Sequence, residues 1–176
     1  MPHPELWIIT GISAAGKSTV AQALAARLDP SAHVRGDVFR RFLVNGALVI
    51  GPGAPTDALD QLRLRYRLAV HTAEAMVAEG FSVVLQDVII GPMLGEVLDL
   101  VTVEPVHLVV LAPSIEAVVQ REAARPKTAY DRFAIEGFDR LLREETPRRG
   151  LWLDTSDLTV EQTVDELLRR ADESLV

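Results

Sequence analysis

Nine consecutive residues, Gly11-Ile12-Ser13-Ala14-Ala15-Gly16-Lys17-Ser18-Thr19, have the types and spacing needed to hold a polyphosphate. They fit G-x-x-x-x-G-K-[ST], the phosphate-binding loop. Glycine lets the backbone curl so that successive N–H groups, from about Ala14 to Ser18, turn toward one anion. Lys17 adds a cation for the β- and γ-phosphates, and the Ser18 hydroxyl is suited to Mg²⁺. Gly11, Ser13, Ala15, Gly16 and Thr19 complete the expected nucleotide-binding stretch. Two carboxylates further along are candidate partners. Asp37 lies where a short strand ends, and is either a helix N-cap or a group facing the phosphates. Asp87 ends the run Phe81-Ser82-Val83-Val84-Leu85-Gln86-Asp87, where a carboxylate is placed to face the ion held by Ser18, directly or through water.

The elements that must position these groups follow from periodicity. Leu6-Trp7-Ile8-Ile9-Thr10 has the pattern of a buried strand, and Val20, Ala21, Leu24, Ala25 and Leu28 recur at helical spacing up to Pro30. The phosphate loop therefore sits where a strand turns into a helix, the context its chemistry requires. His33-Val34-Arg35-Gly36 predicts a second strand, followed by a helical stretch through Val38, Phe39, Phe42 and Leu43. Gly46 to Thr56 is broken by glycine and proline yet carries Ala47, Leu48, Val49 and Ile50. It is a flap over a partly apolar substrate or a loop packed on the core.

Asp57 to Glu79 is the longest helical candidate, with Leu59, Leu62, Tyr66, Ala69, Ala73 and Met76 on one face. Arg63, Arg67 and His71 form a second stripe, either solvated or turned to an anionic substrate. Gly80 ends this helix. A short helix is expected over about Met93 to Val101, and Pro105 to Leu111 is a fourth strand, apolar throughout as buried parallel strands are. Ser114 caps a helix that carries Arg121 and Arg125 on one face and stops before Pro126. Lys127, Tyr130 and Arg132 follow, then a helix through Phe138, Leu141 and Leu142. Basic residues there suit a lid that neutralises charge in phosphoryl transfer, or else pair with Glu122, Asp131 and Glu136. Leu151-Trp152-Leu153-Asp154 is the last strand, and Thr159 with Gln162 forms a capping box for the final helix.

Strands alternating with helices imply a parallel sheet covered on both faces. Right-handed crossovers then bring Gly11, Asp37, Asp87, Ala112 and Thr155 to one edge. At 176 residues the chain suits a single domain, 1–176. A net charge of −7 gives no basic footprint for generic binding to nucleic acid or an anionic membrane. The absence of cysteine excludes disulfide and thiolate chemistry. No segment has the apolar length of a membrane span and the N-terminus lacks the pattern of a signal peptide, so the expected location is cytoplasmic.

The chain resembles small P-loop kinases of the nucleoside-monophosphate-kinase fold, and more narrowly the chloramphenicol-phosphotransferase-like group. The resemblance is carried by Gly11 to Thr19, by Arg35-Gly36-Asp37-Val38, by Gly80 to Val88, and by Leu153-Asp154-Thr155-Ser156 followed by Thr159-Val160-Glu161. It implies a three-layer α/β fold with a five-stranded parallel sheet of order 2-3-1-4-5 and a short basic lid over about 121–137. It also implies transfer of the γ-phosphoryl group of ATP, with Mg²⁺, to a hydroxyl of a small molecule such as an antibiotic or a nucleoside- or sugar-like compound. Asp37 becomes the base or positioning group, and Arg121 and Arg125 map onto the lid arginines by position. One departure matters: the antibiotic kinase's third strand tends to end in two acidic residues, whereas here it ends in Gln86-Asp87. Two rival functions share the loop. A polynucleotide 5′-kinase is disfavoured by the net acidity. An ATPase or nucleotide switch has no acceptor, and no Asn-Lys-x-Asp guanine signature is present.

Overall fold

A computed structural model describes residues 3–51, 54–124 and 131–176. Five strands form one parallel sheet: β1 (Leu6–Thr10), β2 (Ser31–Arg35), β3 (Ser82–Gln86), β4 (Val106–Leu111) and β5 (Leu151–Leu153), in the order β2-β3-β1-β4-β5. Among the described residues six α-helices surround it: α1 (Lys17–Ala25), α2 (Thr56–Ala78), α3 (Met93–Leu100), α4 (Ile115–Ala123), α5 (Arg132–Arg140) and α6 (Val160–Arg169).

Strand β1 is central and fully buried, and its alternation divides the core. Trp7 and Ile9 join α1 and α6 on one face, with Val20, Leu24, Val164 and Leu167. Leu6 and Ile8 join α2 and α3 on the other, with Leu62, Tyr66, Val70, Leu94 and Val97. A strand with core on both sides has no polar face to offer, which is why Leu6 to Ile9 are apolar without interruption.

Local chemistry fixes the helix ends. The Ser114 and Asp131 side chains accept from the amides of Ala117 and Ala134, capping α4 and α5. Thr159 and Gln162 form a reciprocal capping box on α6. Two elements differ from expectation. The second strand starts earlier, at Ser31, and the stretch after it is a 3-10 helix, Gly36–Phe42, rather than an α-helix. Asp37 does not occupy the cap position, which is Arg35, and is the second residue of the helix. Among the described residues no helix is long and apolar enough to cross a membrane.

The edge of the sheet opposite the phosphate loop is closed by a polar cluster. Trp7 stacks on His107 at 4.1 Å and donates through Nε1 to Glu5 Oε1 at 2.7 Å. His107 Nδ1 bonds Ser174 Oγ at 2.8 Å, and Nε2 faces Glu5 at 3.4 Å. The hydrogen bond from His107, aided by the one from Trp7, holds the Glu5 carboxyl below its ordinary value of 4.5 although partial burial opposes the shift. A depressed carboxylate adds stability that is complete above the unfolded value and is lost as pH falls through the folded one. The stability gap between wild type and Glu5→Gln should therefore narrow as denaturant melts are taken from neutral pH to below 4.5. A gap independent of pH would show that Glu5 acts through shape alone.

Candidate active site

The phosphate loop joins β1 to α1 in a conformation that ordinary residues rarely adopt. Gly11 has φ 143° and Gly16 φ 98°, and Ala14 between them is held at φ 60°. Lys17 is the first residue of α1 and is 8% exposed. Its Nζ donates to the Ile12 carbonyl at 2.7 Å, folding the ammonium back over the loop. The Ala15 amide is spent inside the loop, on Ile12 O at 3.3 Å, so not every amide from Ala14 to Ser18 turns to a ligand. Ser18 and Thr19 are exposed, and Ser18 faces the cleft in front of the loop.

In front of the loop lies a cleft of about 510 Å³ lined by Ser13, Ala14, Lys17, Ser18, Asp37, Arg40, Arg41, Arg65, Gln86, Asp87 and Val88. Both candidate carboxylates are there, in different circumstances. Asp37 Oδ1 is buried without a hydrogen-bond partner, its nearest cation Arg35 Nε at 3.7 Å. A buried acceptor left open is rare away from sites of function. In a 3-10 helix residues three apart eclipse, so Asp37 and Arg40 share one face, and both line the cleft.

Asp87 is closed off. It is 3% exposed, and both its oxygens are taken by Arg65 of α2, through Nε at 2.7 Å and through Nη2. The Val88 amide adds a bond to Oδ1 at 2.7 Å. A Cβ on Gly36 would overlap this carboxyl, so the chain before Asp37 has to be glycine for β2 and β3 to end side by side. Burial pushes the Asp87 carboxyl above its ordinary value against the pull of Arg65, the Val88 amide and Lys17. Burial likewise works to lower Arg65, but the bonds and charge of Asp87 outweigh it and the guanidinium ends above its ordinary value.

Asp87, expected to face a metal held by Ser18 directly or through water, is engaged in an ion pair with Arg65. Among the described residues no three acidic, histidine or cysteine side chains gather as a metal site. Breaking one half of a buried pair strands the other charge, so Arg65→Met should cost about 3–5 kcal/mol of stability by chemical denaturation. Arg65→Met with Asp87→Asn should recover most of that loss. A single variant as stable as wild type would show that the pair does not hold β3 to α2.

Two further cavities flank the cleft. One, of about 450 Å³, is walled by α2, α3, Ile50, Gly51 and Ala54 and shares Ser13, Arg40, Arg65 and Val88 with the cleft. The other, of about 350 Å³, lies behind the loop against Arg121, Thr155, Leu158, Thr159, Val160 and Thr163. Arg121 Nη2 donates to Thr155 O at 2.6 Å, and Nη1 reaches Ala15 O at 3.5 Å. Arg121 accordingly belongs to the cavity behind the loop and not to the cleft that holds Asp37. Arg125, expected beside it in a lid, lies outside the described residues, as do Lys127 and Tyr130. Arg132 pairs with Glu136 at 2.8 Å on the exposed side of α5.

A family model described as an AAA domain, AAA_33, matches residues 6–147. The chain belongs to this family. The matched span runs from the first residue of β1 past α5 and so takes in the loop, Asp37, Arg65 and Asp87. No curated protein sequence matches this AAA domain significantly.

Solved structures show the fold. A sugar kinase from Janibacter sp. is similar with a TM-score of 0.71 and 18% identity over 98% of this chain and 96% of that one. The Mycobacterium tuberculosis APS kinase CysC, in complex with AMPPNP and APS, gives 0.70 and 18% over 98% and 99%. The Deinococcus radiodurans tunicamycin resistance protein gives 0.68 and 18% over 99% of each chain. With the strand order β2-β3-β1-β4-β5, this AAA domain has the P-loop kinase fold of the nucleoside-monophosphate-kinase type.

Three cleft arginines, Arg40, Arg41 and Arg65, escape sequence reasoning. Arg65 stands between Arg63 and Arg67, whose four-residue spacing draws attention to the wrong arginines. Arg63 instead pairs with Glu96 at 2.7 Å and Asp60 at 3.0 Å on the rim. Arg40 carries a signal only once Gly36–Phe42 is known to be a 3-10 turn.

Proposed function

We propose that the protein is an ATP-dependent phosphotransferase that moves a γ-phosphoryl group to a hydroxyl of a small molecule. The observation that carries this is the open, buried Oδ1 of Asp37 in the same cleft as Lys17 and Ser18. A carboxylate oxygen without a hydrogen-bond donor beside a phosphate site suits an incoming hydroxyl, whose proton it orients and accepts. The similarity in fold to a sugar kinase and an APS kinase supports the same class.

In this reading the adenine end lies in the cavity behind the loop, between Arg121 and the Thr155–Thr159 turn, and the phosphates lie over Gly11 to Thr19. Lys17 exchanges its bond to Ile12 O for the β- and γ-phosphates. Ser18 is the protein ligand for Mg²⁺, which neutralises phosphate charge when bound. The donor set fits that ion, since Mg²⁺ in such sites is held mainly by phosphate and water with one or two protein oxygens. Asp87 contributes as a charge that balances Lys17 and Arg65, its oxygens being committed. Arg40 flanks the path from acceptor to phosphate and stabilises the negative charge shared during transfer, while Arg65 stays on Asp87. Arg125 remains a proposed lid cation.

ADP release measured with and without a panel of hydroxyl compounds tests the reading. A kinase should hydrolyse MgATP slowly alone and accelerate with an acceptor. An acceptor-independent rate would mark an ATPase.

A further inference from the structure

We propose that the acceptor is a hydroxyl compound with a predominantly apolar body, not a polyol or a nucleoside, seated in the chamber between α2 and α3. This rests on the phosphotransferase reading. The chamber of about 450 Å³ is the size of a small-molecule site and is walled by Ile50, Leu62, Ile90, Met93, Phe138 and Leu141. Its polar groups stand at its two ends. At the inner end Ser13, Arg40, Arg65 and Val88 border both the chamber and the phosphate cleft, so a hydroxyl reaching through that aperture arrives at Asp37. At the outer end Arg63 donates to Glu96 through Nε at 2.7 Å and Nη2 at 3.1 Å and to Asp60 through Nη1 at 3.0 Å, tying α2 to α3 and committing its guanidinium to carboxylates of the rim.

The side chains between the ends have little for a second hydroxyl. The Tyr66 hydroxyl already donates to Val88 O at 2.5 Å, and Arg65 is held on Asp87. The roof is fixed too. The Gln61 side chain accepts from the Leu48 amide at 2.9 Å and donates to Gly46 O at 2.8 Å, which settles the apolar loop beside α2 and sets Ile50 on the chamber. A sugar entering here would strip water from hydroxyls that find no replacement partner, whereas an apolar ring system loses nothing.

The test uses naphthylethanol as the apolar probe, with glucose and adenosine as polar comparators. Binding is followed by calorimetry on the full chain loaded with a non-hydrolysable ATP analogue. Naphthylethanol should bind saturably and at least about ten-fold more tightly than either comparator. Met93→Glu, which puts a carboxylate on the chamber wall, should weaken it by about ten-fold or more, while Met93→Leu binds as wild type. Both variants should keep wild-type affinity for the ATP analogue, which reports that they are folded.

Tighter binding of glucose or adenosine, no saturable binding of naphthylethanol, or full affinity in Met93→Glu would each overturn the proposal. The parent reading fails differently. Naphthylethanol would then bind as expected but receive no phosphate, and ATP would be hydrolysed at the same rate with or without it.

Discussion

Lys17→Ala should lower phosphoryl transfer by about 10²- to 10³-fold, the usual consequence of removing one preorganised charge from a transferring group. The geometry makes the substitution a clean one. Lys17 heads α1, but that helix is anchored by Val20, Ala21 and Leu24, which stay in the core without the lysine. The loop keeps its form through Gly11 and Gly16, whose positive φ values do not depend on the side chain. What disappears is the ammonium that Lys17 folds over the loop. Nucleotide affinity should fall with it, because the cation meets the β- and γ-phosphates before transfer begins. Lys17→Arg should not restore the rate, since a planar guanidinium cannot reproduce a compact charge that also bonds Ile12 O. Steady-state kinetics with nucleotide titration and thermal melts would separate these effects. A Lys17→Ala protein with near-normal turnover would mean that the loop holds no phosphate during the reaction.

Asp37→Asn is the second large effect and the more specific one. Turnover should fall by about 10²- to 10⁴-fold, while nucleotide affinity changes little. The amide matches the carboxyl in shape but cannot take a proton, and one of its two positions presents donors where the native Oδ1 only accepts. Asp37 is not the N-cap of the 3-10 helix, and the substitution removes only its long, half-exposed ion pair with Arg35 at 3.7 Å. Melting temperature should therefore stay close to wild type, which distinguishes a chemical role from a structural one. In a loose transition state the carboxylate orients the hydroxyl more than it pulls the proton, so a residual rate above background is expected. Unchanged turnover in Asp37→Asn would remove Asp37 from the chemistry.

The phosphate loop was legible because its function restricts a few positions at fixed spacing: a strand before it, glycine at Gly11 and Gly16, a lysine at the helix start. The alternation of strands and helices was legible for the same reason that β1 is apolar throughout, since a strand with core on both faces leaves a continuous signature. The strand order came from resemblance, as periodicity carries no information on which strands pair.

What stayed hidden are pairings across elements. Nothing local to Asp87 says that its partner is a helix residue twenty-two positions earlier, although a carboxylate at a buried strand end does call for a cation. The stripe of Arg63, Arg67 and His71 stood out at helical spacing, yet Arg63 is spent on Asp60 and Glu96 while Arg65, off the stripe, reaches the cleft. Asp37 was found for its place at a strand end. Its alignment with Arg40 depends on a 3-10 turn that the sequence pattern presents as an α-helix.

The most direct test of the phosphotransferase account is the fate of a labelled γ-phosphate. The protein is incubated with MgATP carrying the label and with apolar and polar alcohols, and the products are separated. The account predicts that the label appears in an organic phosphate ester of an added alcohol, that free phosphate forms slowly by comparison, and that Asp37→Asn loses the ester. Label released only as inorganic phosphate, at a rate indifferent to any alcohol and to Asp37, would contradict it.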